Sequence, residues 1–178
     1  MENTWKGSGV TESAEAFSVY VVDLDTDNVF EIMTCGYWED SIEKGQIRIF
    51  HSSTSNLTFI TKKEWWNDNA RGQSIHATDL DGDGNLEIIT GGWMTESGRT
   101  YGEIRLWRHN TSTASIQWLA TKQWRDFSWG MSNNTDAKVN SIFAMDIDFD
   151  DIVEVVSGGQ IKDSSTVWYG QLRIWYDP

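Results

Sequence analysis

Nothing restricts this chain more than a nine-residue acidic pattern that occurs three times: DLDTDNVFE from Asp23 to Glu31, DLDGDGNLE from Asp79 to Glu87, and DIDFDDIVE from Asp146 to Glu154. The second copy starts 56 residues after the first and the third 67 after the second, so the copies fill a chain of 178 residues. Self-similarity at such a period is the mark of a repeat architecture, each copy being one supersecondary unit. Every acidic stretch is preceded by an apolar run (FSVYVVD, QSIHATD, NSIFAMD) and followed by another (EIMTCGYW, EIITGGW, EVVSGGQI). Strand-like runs on both sides of a turn-forming loop predict a β-hairpin with the acidic loop at its tip.

A third element follows 22 to 24 residues after each first Asp: GQIRIF at Gly45, GEIRLW at Gly102 and GQLRIW at Gly170. Its period-2 alternation is that of a strand, with aliphatics on one face and Arg plus an aromatic on the other. Recurrence of the arginine at Arg48, Arg105 and Arg173 favours a structural role, against the neighbouring ring or a carboxylate on a neighbouring strand. A fourth run, LTFITKKEWW from Leu57 and IQWLATKQW from Ile116, closes the first two copies. The third copy lacks it, whereas ENTWK near the N-terminus resembles its end, with Trp5 standing where Trp65 and Trp124 stand.

Long helical periodicity is absent, and four antiparallel strands recurring about every 60 residues is the pattern of a propeller blade. The expected fold class is therefore all-β, with three four-stranded blades at about 12–66, 70–125 and 136–178 in one repeat domain. Residues 1–6 are the expected source of the last blade's outer strand. Three blades are fewer than the ~4 to 8 of a closed propeller. The chain is thus expected either to pair with itself, as a homodimer of six blades, or to belong to a longer parent chain.

Within each loop the residues at positions one, three, five and nine are carboxylates: Asp23, Asp25, Asp27 and Glu31; Asp79, Asp81, Asp83 and Glu87; Asp146, Asp148, Asp150 and Glu154. Side chains at every second position of a curled loop point inward, where a hard cation that takes about six to eight oxygens can collect them. The backbone carbonyl at position seven (Val29, Asn85, Ile152) and a water would complete the shell. Gly82 and Gly84 give the middle loop the freedom for a tight turn. The first loop substitutes Thr26 and Asn28, and the third Phe149 and Asp151, which suit left-handed backbone least. Position twelve of the middle loop is Thr90 and no helix flanks it, so an EF-hand is disfavoured.

A net charge of −13 repels phosphate backbones, and the scattered Lys and Arg form no basic patch, so nucleic-acid binding is not expected. The twelve carboxylates at ligand positions are a large share of the 27 Asp and Glu, and three divalent ions would bring the charge to roughly −7. The charge therefore reads as ligand supply. Cys35 is alone and reads as a small core residue, while His51, His76 and His109 lack zinc spacing. No apolar run approaches the ~20 residues of a membrane helix, and the first ten residues lack the order of a signal peptide. Sequons at Asn56, Asn110 and Asn133 carry little weight.

Every convincing carboxylate set is already assigned to a loop, and there is no nucleophile elbow, phosphate loop or Cys/His dyad, so no catalytic residue is assigned and an enzyme is not expected. The eleven tryptophans raise a carbohydrate-binding alternative. Most recur at strand ends, where packing between blades needs them: Trp5, Trp65 and Trp124 at one, Trp107 and Trp175 at another. Trp38, Trp93, Trp129 and Trp168, in or beside loops, are the candidates for contact with a glycan.

In DxDxDG, then an apolar strand with GG, then YGxxRxW, the chain resembles the FG-GAP or VCBS repeats of integrin-α-type β-propellers, especially their microbial versions, over nearly its whole length. The resemblance implies calcium held between the first and second strands of each blade, with the carboxylate at position nine in place of an EF-hand's distal Glu. It also implies an extracellular or cell-surface setting and a non-catalytic role in binding, adhesion or assembly, with a protein or glycan ligand and no membrane insertion.

Overall fold

The computed structural model describes residues 4, 13–53, 56–125, 136–162 and 167–176. The described residues form an all-β structure of eleven strands. The first sheet is β1 (Ala14–Val22), β2 (Glu31–Glu39), β3 (Glu43–Ser52) and β4 (Leu57–Trp65). The second is β5 (Asn69–Thr78), β6 (Glu87–Glu96), β7 (Arg99–Asn110) and β8 (Ser115–Trp124), and the third is β9 (Asp136–Met145), β10 (Glu154–Lys162) and β11 (Trp168–Trp175). Neighbours in sequence are neighbours in each sheet, and all pairs are antiparallel. Most residues expected to supply a fourth strand to the third sheet, 1–3 and 5–6, lie outside the described ones, as does Trp129.

The sheets stack in chain order through their first strands. Strand β5 packs on β1, β2 and β3, and β9 packs on β5, β6 and β7. Each junction encloses its own apolar cluster. Met33, Cys35, Ile47, Ile49 and Trp65 of the first sheet meet Ala70, Ile75, Ala77 and Trp107 of the second; Ile104, Leu106 and Trp124 of the second meet Val139, Ile142, Ala144 and Val155 of the third. Cys35 is fully buried, and burial pushes its thiol well above the usual range, so it is an unreactive core residue.

The two junctions fit by opposite choices of size. At the first, the sulfur of Cys35 occupies the place that any side chain at Gly72 would need; at the second, Gly91 is the small partner, and a Cβ there would lie 2.5 Å from Ile142 and 2.7 Å from Val139. A different glycine serves the strand pairing. Gly36, Gly92 and Gly159 each lie beside the bulge between the first two strands of a sheet, where an added Cβ would run into the carbonyl oxygen of Glu15, Arg71 or Lys138.

Tryptophans pair across the junctions, Trp65 with Trp107 at 5.2 Å and Trp124 with Trp175 at 4.7 Å between ring centroids. Their indole N–H groups also cross: Trp65 donates to Glu103 at 2.8 Å and Trp124 to Gln171 at 2.9 Å. Two of the repeated arginines lie on these rings, Arg105 over Trp65 and Trp107 and Arg173 over Trp124 and Trp175, while Arg48 lies over Phe59. The carboxylate that Arg105 meets is Glu103, two residues away on its own strand, rather than one on a neighbouring strand. Alternation explains it, because positions two apart share a face.

Candidate metal centres

All three acidic loops join the first two strands of a sheet, and one backbone device shapes each. The Glu at position nine opens the second strand and is almost fully buried, at 2% exposure for Glu31, 3% for Glu87 and 1% for Glu154. Its carboxylate accepts the N–H of position two: Leu24 to Glu31 at 3.0 Å, Leu80 to Glu87 at 3.0 Å, Ile147 to Glu154 at 2.9 Å. The Asp at position one accepts the N–H of position six, from Asn28 at 2.9 Å, Gly84 at 2.9 Å and Asp151 at 3.0 Å. The Asp at position five accepts the N–H of position seven in all three. The Asp at position one uses both oxygens in this way, the other accepting from Asp27 N–H at 3.1 Å in the first loop, Gly82 at 2.8 Å in the second and Phe149 at 2.7 Å in the third.

Curling the loop this way drives positions four and six into left-handed backbone. Gly82 and Gly84 take φ of 73° and 84°, Thr26 and Asn28 63° and 66°, Phe149 and Asp151 63° and 69°. Each non-glycine residue there carries a steric cost of roughly 1–2 kcal/mol, less for Asn and Asp. The glycines of the middle loop are therefore the unstrained form of a turn that the other two adopt anyway.

Three carboxylates converge in each loop, with oxygen atoms within 4.8 Å of one another: Asp23, Asp25 and Asp27; Asp79, Asp81 and Glu87; Asp146, Asp148 and Glu154. Glu31, Asp83 and Asp150 stand outside those closest sets. An all-oxygen, all-anionic donor set suits a hard divalent cation. Electrostatics separates the loops. In the third, desolvation and the neighbouring Asp150, Glu154 and Asp146 raise the Asp148 carboxyl above the usual range, a sign of uncompensated negative charge. In the first, burial foremost and then Asp25 and Asp27 raise Glu31, and His51 lies 3.3 Å away.

The middle loop has a cation of its own. Arg108 reaches from β7 and places its guanidinium 3.2 Å from both Asp81 and Asp83, and its Nε donates to Glu87 at 2.8 Å, with Nη2 in closer contact with the same oxygen. Backbone and side-chain hydrogen bonds from Asn85, and then Arg108, hold Asp83 below the usual carboxylate range. Residue 108 was not among the sequence candidates. The β-register puts it opposite Glu87, as it puts His51 opposite Glu31; in the third sheet the register ends at the Val155 and Trp175 pair, one residue short of Glu154, and the residue aligned with Arg108 is Tyr176. A signal existed in the residue after the aromatic that ends each third-strand motif, although only strand pairing gives it meaning.

The loop tryptophans are less open than their sequence positions suggest. Trp38 and Trp93 lie within β2 and β6; Lys44 sits 4.6 Å from the Trp38 ring and Lys138 4.7 Å from that of Trp93, with Arg71 at 5.6 Å. Trp168, which opens β11, is 42% exposed. Among the described residues the most exposed indoles are Trp66, at 52%, and Trp118, at 57%, and the latter borders an open cleft with Trp107, Arg105 and Glu64.

A search against models of known protein families found no match to this chain, and a search of curated proteins found none either.

Proposed function

We propose that this chain is a calcium-stabilised segment of a β-propeller whose role is binding or assembly rather than catalysis. The observation that carries this reading is the threefold recurrence of one loop geometry, in which a buried Glu and the first Asp are fixed by backbone N–H groups and three carboxylates bring oxygens within 4.8 Å of one another. Asp23, Asp25 and Asp27 would hold an ion in the first loop, and Asp146, Asp148 and Glu154 in the third. In the second, Asp79, Asp81 and Glu87 would hold one only if Arg108 swings away. The ion's work is structural: it cancels repulsion at a hairpin tip and ties the first two strands together. The resemblance to FG-GAP and VCBS repeats supports calcium and an extracellular or cell-surface setting, where structural sites of about 10⁻⁴–10⁻³ M are serviceable.

Differential scanning calorimetry with calcium and with chelator tests this. A lower melting temperature in chelator is expected, and an unchanged one overturns the calcium reading.

A lectin-like role is the second reading, favoured by the exposure of Trp118 beside an open cleft that also presents Lys63, Glu64 and Gln123, since an open indole can stack on a sugar ring. Glycan-array binding that survives Trp93→Ala and is lost in Trp118→Ala would support it; no binding to any glycan would remove it.

A further inference from the structure

The two internal junctions are built from the same contacts, and one half of each is left over at either end of the stack. A serine on the first strand of one sheet accepts a backbone N–H from the next: Ile75 donates to Ser18 Oγ at 3.3 Å and Ile142 to Ser74 Oγ at 3.1 Å. One aromatic ring from each first strand packs against the next, Tyr20 edge-on to His76 at 4.7 Å and His76 tilted against Phe143 at 4.9 Å between centroids. The third-strand aliphatics of one sheet, Ile47 with Ile49 and Ile104 with Leu106, are covered by the sheet that follows.

On the third sheet the corresponding groups face outward. Leu172 is 71% and Ile174 42% exposed, where their counterparts are at most 9%. Ser141 and Phe143, aligned with Ser74 and His76, are exposed as well. Gly158, aligned with Gly91, has no described atom within 4 Å of the place a Cβ would take. On the first sheet the opposite half is bare. Val19 and Val21 are 62% and 53% exposed, while the aligned Ile75 and Ala77, and Ile142 and Ala144, are at most 6%.

We propose that the third sheet of one chain receives the first sheet of a second copy through this same junction. Val19 N–H of the second copy then meets Ser141 Oγ, its Tyr20 packs against Phe143, and its Val19 and Val21 cover Leu172 and Ile174. Gly158 accommodates Ala16, which is aligned with Gly72 and Val139. The occupant is a copy of this chain because this chain carries the matching half, strand for strand, on its own first sheet. A junction that joins unlike faces is heterologous and closes only as a ring. The number of copies rests on the propeller reading: with three sheets per chain, two copies give six, the one multiple of three within the range of about four to eight blades.

Light scattering and sedimentation velocity at micromolar concentration test it on the wild type, Leu172→Asp and Val19→Asp. The wild type is expected at twice 20.3 kDa and each variant alone at 20.3 kDa. An equimolar mixture of the two variants is expected to regain a dimer, because one junction in the mixed pair has both faces intact. Both side chains are largely exposed in the single chain, so neither change removes a core contact; circular dichroism checks the folds, and Leu172→Gln and Val19→Gln replace any variant that fails to fold. A wild-type monomer, a dimer indifferent to both substitutions, or species larger than a dimer would overturn the closed pair. So would Val19→Asp remaining dimeric while Leu172→Asp does not, which would mean a face meeting itself. None of these results alters calcium-dependent melting, so this proposal and the calcium reading fail separately.

Discussion

The middle and third loops share a backbone and differ in how their charge is balanced. Around Asp79–Glu87 the guanidinium of Arg108 lies among the carboxylates, whereas in the third repeat the residue aligned with Arg108 is the uncharged Tyr176, and Asp148 is left against its own like-charged neighbours. By motif the middle loop is the better ion site, with both glycines in place. By electrostatics it is the one that has least need of an ion. The comparison teaches that a liganding pattern fixes the cup, while a residue arriving from another strand decides what fills it.

The largest effect that could break this comparison comes from metal removal. At calcium a hundredfold above its dissociation constant each occupied site contributes about 2.7 kcal/mol, so chelation should lower the melting temperature by roughly 5–10 °C per site. Asp146→Asn with Asp148→Asn should remove much of that shift, and Asp79→Asn with Asp81→Asn little of it; the reverse outcome in calorimetry would invert the comparison.

In chelator the order should change. Glu87→Ala strips Leu80 N–H of its acceptor and Arg108 of its buried partner, and should cost about 2–3 kcal/mol in urea unfolding. Glu154→Ala loses the Ile147 bond but also a repelling charge, and should cost nearer 1 kcal/mol. Equal losses would mean that Arg108 contributes nothing to the middle loop.

A smaller effect is expected from Arg108→Gln. Removing a unit charge at about 4 Å in water-like surroundings is worth ~1 kcal/mol, so calcium should bind the middle loop roughly fivefold more tightly by titration calorimetry. No gain in affinity would show that the guanidinium leaves at no cost.

The register behind these effects explains what could be read from the sequence. The strands and loops were legible because three copies corroborate one another, and the turn geometry because Gly82 and Gly84 mark positions that Thr26, Asn28, Phe149 and Asp151 also occupy at positive φ. The place of Arg108 was not, since it lies 21 residues from Glu87 in the chain and meets it only through the β6–β7 pairing. The lysines over Trp38 and Trp93 were hidden for the same reason: Lys138 belongs to a different sheet from Trp93.

Backbone strain gives a finer test. Phe149 is 87% exposed at a φ of 63°, so Phe149→Gly gives up little burial and should gain up to about 1 kcal/mol, whereas Gly82→Ala should lose a similar amount. Thermal unfolding of both variants in chelator measures the difference between the loops.

The smallest effect is in pH dependence without calcium. Asp148 is raised in the folded chain, so its contribution to stability is full below the ordinary Asp range and is lost as pH rises through its shifted value. Asp83 is lowered, and its contribution, present above the ordinary range, is lost as pH falls through its own shifted value. Glu31 is raised as Asp148 is, so melting in chelator from neutral pH down to the ordinary Asp range should show a gain on acidification that Asp148→Asn reduces and Asp83→Asn leaves in place.

The opposite sizes at Cys35 with Gly72 and Gly91 with Val139 make the three repeats non-interchangeable parts. A gene rearrangement that transposed the second and third copies would set Cys35 against Val139 at one seam and Gly158 against Gly72 at the other, one overfilled and one hollow, both costly in a close-packed interior. Order along the array is thus written in side-chain volume, independently of the loops. The loops can diverge in sequence without the units losing their place.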